Sequence, residues 1–212
     1  MKKLFLASAA MAVVVAAPVA QAASFTDVAP GEDTQDVARA VELGFMKGIG
    51  GSFMPYQEIT RGQVVKALAR YVAQQDNESV TSYVVANNLK ETVAPFADVP
   101  ATHRDQELYE ASLIVKDSEI FSGANNQLAT AKPITREQMA KVIYQTFNLE
   151  AHAQGYEVKD LYLAEAEYHE AIHILADNGI TRPGLDGQFN PKDTVKRIQM
   201  AKFLVRAYDM EK

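Results

Sequence analysis

A chain of 212 residues with 21 Lys and Arg against 27 Asp and Glu carries a formal charge of −6, which excludes the phosphate-neutralising basic surface of a nucleic-acid binder. It has no cysteine, so disulfides contribute nothing and packing alone must hold the fold.

The first residues read as a secretory leader: basic Lys2 and Lys3, an apolar run over 4–19, then Ala20-Gln21-Ala22 as a small-residue cleavage site, with cleavage after Ala22 or Ala23. Ser8 and Pro18 interrupt the run, which is shorter than the ~20 residues a spanning helix needs. No second apolar run follows, so the expectation is an exported mature chain of roughly 190 residues, one or two domains in length, without a membrane span.

A decapeptide then organises the rest. Ile59-Thr60-Arg61-Gly62-Gln63-Val64-Val65-Lys66-Ala67-Leu68 returns as Ile134-Thr135-Arg136-Glu137-Gln138-Met139-Ala140-Lys141-Val142-Ile143 and as Val195-Lys196-Arg197-Ile198-Gln199-Met200-Ala201-Lys202-Phe203-Leu204. Each copy predicts the start of an amphipathic helix with apolar residues on one face and the Lys (Lys66, Lys141, Lys202) directed away from it, on a solvated side, with lining a groove as the lesser alternative. Thr60 and Thr135 read as N-caps, each in a capping box with the Gln three residues later. Lys196 replaces the Thr in the third copy, which leaves Thr194 or Asp193 as the expected cap. An Arg in a first helical turn opposes the macrodipole, so each is expected to answer a negative group, internal or external.

Eight residues before each Arg stand Phe53, Leu128 and Phe189, expected core positions, and two before those stand Gly51, Asn126 and Gly187, which tolerate a left-handed turn. Further back lie Phe25-Thr26-Asp27-Val28, Phe96-Ala97-Asp98-Val99 and Val158-Lys159-Asp160-Leu161, with a helical pattern between: Val37, Ala40 and Val41; Leu108, Ala111 and Val115; Ala171, Ile172 and Leu175. Each unit is therefore an extended Asp segment, a first helix, a turn, and a second helix headed by the Arg. Units of about 50 residues bury too little surface to stand alone, so three are expected to share one core. The predicted boundaries are a leader over 1–23, repeats over 24–73, 94–149 and 158–212, and connectors over 74–93 and 150–157. The last helix is expected to run almost to Lys212, with no effector domain appended.

Phe-x-Asp-Val, a helix, the Gly-to-Pro turn of residues 184–191, and Ile-Thr-Arg-x-Gln heading a second helix together closely resemble the S-layer homology domain of bacterial cell-surface proteins. The resemblance covers three consecutive copies. It implies an all-α, pseudo-threefold helical bundle that attaches an exported protein noncovalently to secondary cell wall polysaccharide on peptidoglycan, often through a pyruvate ketal, beside other surface-layer proteins. Carried over, the binding signature falls on Thr60, Arg61, Gln63, Thr135, Arg136 and Gln138, and in the third copy on Arg197 and Gln199, with Asp27, Asp98 and Asp160 in support. A helix N-terminus with free N–H groups is a ready site for the ketal carboxylate, and Arg adds a planar fork of donors.

Blander roles compete for the same residues. Each Arg can instead pair with Asp27, Asp98 or Asp160, locking the Asp segment to the second helix, and the Asp residues read as helix caps or Arg partners. His169-Glu170-Ala171-Ile172-His173 matches the zinc-hydrolase pattern His-Glu-x-x-His, but Ala171 and Ile172 already have a core role and no third-ligand motif follows. No phosphate loop, nucleophile elbow or calcium loop occurs. The expectation is a binding module with no catalysis, metal or cofactor; a structural protein using the same repeats for protein contacts is the alternative.

Overall fold

The computed structural model describes residues 25–147, 149–150, 156–181, 184 and 186–211, and over them the chain is all-α as expected. The leader expected at 1–23 and most of the 150–157 connector lie outside the described residues. Eight α-helices run in order: α1 Glu32–Glu42, α2 Arg61–Gln75, α3 Val80–Ala86, α4 Leu89–Thr92, α5 Gln106–Asp117, α6 Arg136–Thr146, α7 His169–Asp177 and α8 Arg197–Met210. Two 3₁₀ turns, Leu161–Leu163 and Ala166–Tyr168, precede α7. No described helix is long and apolar enough to cross a membrane.

The predicted helix starts hold. Thr60 and Thr135 accept from the Gln63 and Gln138 N–H groups, while those Gln side chains accept from the Thr N–H groups, closing both capping boxes. The third start differs from expectation. Gln199 still accepts from Lys196 N–H at 2.8 Å, but neither predicted cap is used: the Thr194 hydroxyl donates to Glu58, and the Asp193 carbonyl accepts the Arg136 N–H.

Helices of one motif copy pack on the next copy. α2 lies on α5, α6 on α7, and α8 on α1, burying Val64, Val65 and Leu68 and their counterparts in one continuous core. The conserved spacing of the Lys follows from this pairing, and the solvated role expected for it is corrected. Lys66 bonds Asp105 at 2.6 Å, Lys141 bonds Glu167, and Lys202 bonds Asp33. In each case a second helix meets an acid at or near the start of its neighbour's first helix, where the macrodipole also favours that acid. At the centre, Ile59 N–H donates to the Val195 carbonyl, Ile134 N–H to the Ile59 carbonyl and Val195 N–H to the Ile134 carbonyl, at 2.9, 3.2 and 3.0 Å. These three bonds close a ring among residues that are each at most 1% exposed.

The Asp residues neither cap helices nor pair directly with Arg. The Asp27 carboxylate accepts the N–H groups of Phe53 and Met54, Asp98 those of Leu128 and Ala129, and Asp160 those of Phe189 and Asn190, all within 2.7–3.0 Å. The second residue of each pair, Met54, Ala129 or Asn190, has a left-handed backbone with φ of 57°, 56° or 58°. That conformation is costly for Met and Ala, and the convergence of two N–H groups on one carboxylate sustains it. Phe53, Leu128 and Phe189 are thereby pinned as core residues, at most 1% exposed.

Asp160 is 1% exposed, so Asp160→Ala leaves two N–H groups without their acceptor and is expected to cost about 3 kcal/mol, read as a lower urea midpoint at unchanged slope. Asp27 titrates below its ordinary value of 3.8, held there first by the Phe53 N–H against desolvation, with the Met54 N–H and the Arg197 charge adding to it. A folded value below the unfolded one means that the contribution is full above the unfolded value and is lost as pH falls through the folded one. The melting temperature is therefore expected to fall as pH drops below 3.8, and less steeply in Asp27→Asn than in the parent.

Candidate functional site

The heads of α2, α6 and α8 were expected to present free N–H groups to an anion, and they do not. Arg61 and Gly62 donate to the Lys132 and Thr130 carbonyls, Arg136 and Glu137 to those of Asp193 and Pro191, and Arg197 and Ile198 to those of Gln57 and Pro55, all at 2.9–3.0 Å. A helix end pressed into a neighbouring turn must find acceptors for these donors, and the turn of another motif copy supplies them. Gly62 is buried and shows how close that approach is, since a Cβ there would sit 3.1 Å from the Thr130 carbonyl oxygen.

The Arg side chains follow the same cross-copy logic, not the pairing within one copy that the sequence suggested. Arg61 Nε donates to the Leu128 carbonyl, Arg136 Nε to that of Phe189 and Arg197 Nε to that of Phe53, at 2.7, 2.6 and 2.7 Å. Each turn residue thus gives its N–H to an Asp and takes an Arg on its carbonyl. Asp27 goes with Arg197, Asp98 with Arg61 and Asp160 with Arg136, through one residue's backbone. Burial pulls all three guanidinium groups below the ordinary Arg value, and the facing acids, Asp98, Asp160 and Asp27 among them, oppose that pull.

A groove of about 520 Å³ has a lining that includes Arg61, Phe121, Thr135, Gln138, Lys141 and Tyr168. It joins predicted residues from two copies: Arg61 heads α2, whereas Thr135 and Gln138 head α6. The Arg61 guanidinium lies 5.1 Å from the Phe121 ring centroid, and its Nη1 is 3.4 Å from Gln138 Oε1. Lys141, bonded to Glu167, stands 5.5 Å from the Tyr168 ring. With Lys132 also in the wall, three cations face one carboxylate, a positive pocket in an acidic protein. Hydroxyl, amide, guanidinium and two rings around such a space suit an acidic sugar: the cations take a carboxylate, the polar groups take hydroxyls, and a ring covers an apolar sugar face.

A second groove of about 140 Å³ brings Arg197 to Gln63, Lys66 and Arg70. Thr60 caps α2, and Gln199 is engaged at the head of α8. Sequence reasoning missed Phe121 and Tyr168 as lining residues and gave Lys141 that role only as the lesser alternative to a solvated face. Lys141 carried a signal, its fixed place in the repeat; Phe121 and Tyr168 occupy positions where the other copies have no aromatic pattern. The His-Glu-x-x-His stretch opens α7, where His169 Nε2 is 3.2 Å from the Ala164 carbonyl and His173 is exposed. Among the described residues, no group of three His, Cys, Asp or Glu is placed to hold a metal ion.

Comparison with known proteins finds a family likeness in two regions of the chain. The family model of the S-layer homology domain matches residues 24–65 and 159–201. The Surface-layer 125 kDa protein of Lysinibacillus sphaericus is 28% identical over 188 residues, 85% of this chain and 14% of that protein. An Endoglucanase of Bacillus sp. (strain KSM-635) is 29% identical over 128 residues, 58% of this chain and 12% of that protein. The chain therefore spans only about one seventh of these relatives' length or less. The chain carries S-layer homology sequence over these two regions, and together with the surface-layer relative they support a cell-surface anchoring module.

Proposed function

We propose that the chain is exported and holds to the cell wall noncovalently by binding an acidic, pyruvylated secondary cell wall polysaccharide at the heads of α2, α6 and α8. In this reading residues 94–149 form a further copy between the two matched regions, and the three copies make a pseudo-threefold bundle. Thr60, Arg61, Gln63, Thr135, Arg136, Gln138, Arg197 and Gln199 are the motif residues concerned, with Asp27, Asp98 and Asp160 shaping the turns. The observation that carries the reading is the groove at Arg61, cationic and aromatic-walled in a protein whose overall charge is negative. Long-range repulsion opposes an anionic polymer there, so recognition must be local, through guanidinium and ammonium contacts that survive screening because they are half-buried.

The reading has no catalytic step. Endoglucanase activity stays with the relative that carries the name, of which 12% is aligned. A second reading, protein contacts at the cell surface, is favoured by the adjacent Tyr162 and Leu163, which are 78% and 49% exposed.

Co-sedimentation with peptidoglycan sacculi separates the two. The parent is expected to sediment with sacculi that carry the polysaccharide and not with sacculi stripped of it, and Arg61→Ala is expected to weaken binding at least about tenfold, the loss of one charge-assisted contact. A melting curve checks that the variant is folded. No sedimentation of the parent with either preparation sinks the anchoring reading.

A further inference from the structure

We propose that the three equivalent arginines have parted roles: Arg61 alone meets the ligand, Arg136 and Arg197 are structural clamps, and the chain takes one acidic sugar, at Arg61. The proposal rests on the anchoring reading and narrows it to one groove.

All three side chains use Nε on a turn carbonyl, so the difference lies in the outer nitrogens. Arg197 Nη2 donates to the Lys47 carbonyl at 2.8 Å, its ring partner Phe53 is at 4.9 Å, and the residue is 3% exposed. Arg136 Nη2 donates to the Thr181 hydroxyl at 3.1 Å, and its guanidinium lies 4.7 and 5.8 Å from the rings of Phe189 and Phe203. Both planar forks are committed inside the protein. The outer contact of Arg61 is the 3.4 Å approach of Nη1 to Gln138 Oε1, an acceptor that also takes the Thr135 N–H at 3.4 Å. Both bonds are long. An incoming carboxylate at ordinary distance replaces the Gln138 contact with a charge-assisted one and leaves Gln138 Oε1 to the Thr135 N–H alone.

One sequence difference accounts for the divergence of Arg61 from Arg136, whereas Arg197 uses a backbone carbonyl, that of Lys47. Counting from the buried Phe45, Ile120 and Ile180, the next residues are Met46, Phe121 and Thr181. The Thr181 hydroxyl reaches Arg136; Phe121 has no hydroxyl and offers Arg61 a ring face instead. Volume agrees with this division. The Arg61 groove, about 520 Å³, falls within the ~300–1,000 Å³ usual for small-ligand sites, and the Arg197 groove, about 140 Å³, falls below it.

Two measurements test the assignment. In sedimentation with polysaccharide-bearing sacculi, Lys141→Ala and Tyr168→Ala are expected to weaken binding at least about tenfold, whereas Lys66→Ala and Lys202→Ala, the matching lysines of α2 and α8, change it less than about twofold. In thermal melting, Arg136→Lys and Arg197→Lys are expected to lower the melting temperature by about 5 °C or more and Arg61→Lys by about 2 °C or less. Comparable binding losses at Lys66, Lys141 and Lys202, or equal melting losses for the three arginines, overturn the proposal while leaving the anchoring reading intact. A parent that does not bind sacculi sinks the anchoring reading instead, and the melting series still decides which arginines are clamps.

Discussion

Buried helix N-termini need acceptors, and here each takes them from the turn of another motif copy. The first two N–H groups of α2, α6 and α8 end on carbonyls of residues 130–132, 191–193 and 55–57, so a helix head and a turn are built for each other. An unmet buried donor costs on the order of 1–3 kcal/mol, which makes each junction all-or-none. The Asp–turn–Arg relay serves the same junction. Asp27, Asp98 and Asp160 fix the turn from its N–H side, and Arg197, Arg61 and Arg136 fix it from its carbonyl side. An Arg at a helix head loses a few tenths of a kcal/mol up to about 1 to the macrodipole, but a bond from a charged donor contributes about 1.5–3. The mismatch is outweighed.

Electrostatics then separate architecture from recognition. Several acids face cations of another motif copy: Lys66 and Arg70 face Asp105 and Glu107, Lys202 faces Asp33, and Lys192, in a turn, faces the buried Glu137. Burial raises the carboxyl of Glu107, but its bond to Arg70 and the nearby Lys66 outweigh that and hold it below the ordinary range. Beside these matched pairs, the cluster of Arg61, Lys132 and Lys141 against Glu167 alone stands out as an unbalanced positive site.

Much of the architecture is legible in the residue order because its signals are local. The capping boxes at Thr60 and Thr135, the apolar face of Val64, Val65 and Leu68, and the pinned Phe53, Leu128 and Phe189 all depend on neighbours a few positions away or on simple burial. Partnership across copies was not legible. Nothing in a repeat says that α2 packs on α5, or that Arg61 reaches Leu128 instead of answering Asp27. For the same reason the free helix heads expected at the site prove to be occupied, and Thr135 and Gln138 share a groove with the Arg of a different copy. Phe121 and Tyr168 look like ordinary core aromatics until the groove between copies is seen.

The pairing of α8 with α1 bears on when the chain can fold. The Phe53 carbonyl waits for Arg197, 144 positions further on, and the Ile59 N–H waits for Val195. Until the last copy has been made, α1 lacks its helix partner and the central ring is open, so the segments already synthesised gain little by collapsing. Long-range closure of this kind slows folding. For the export proposed above that delay is an advantage, because an extended chain passes a translocation pore before it assembles.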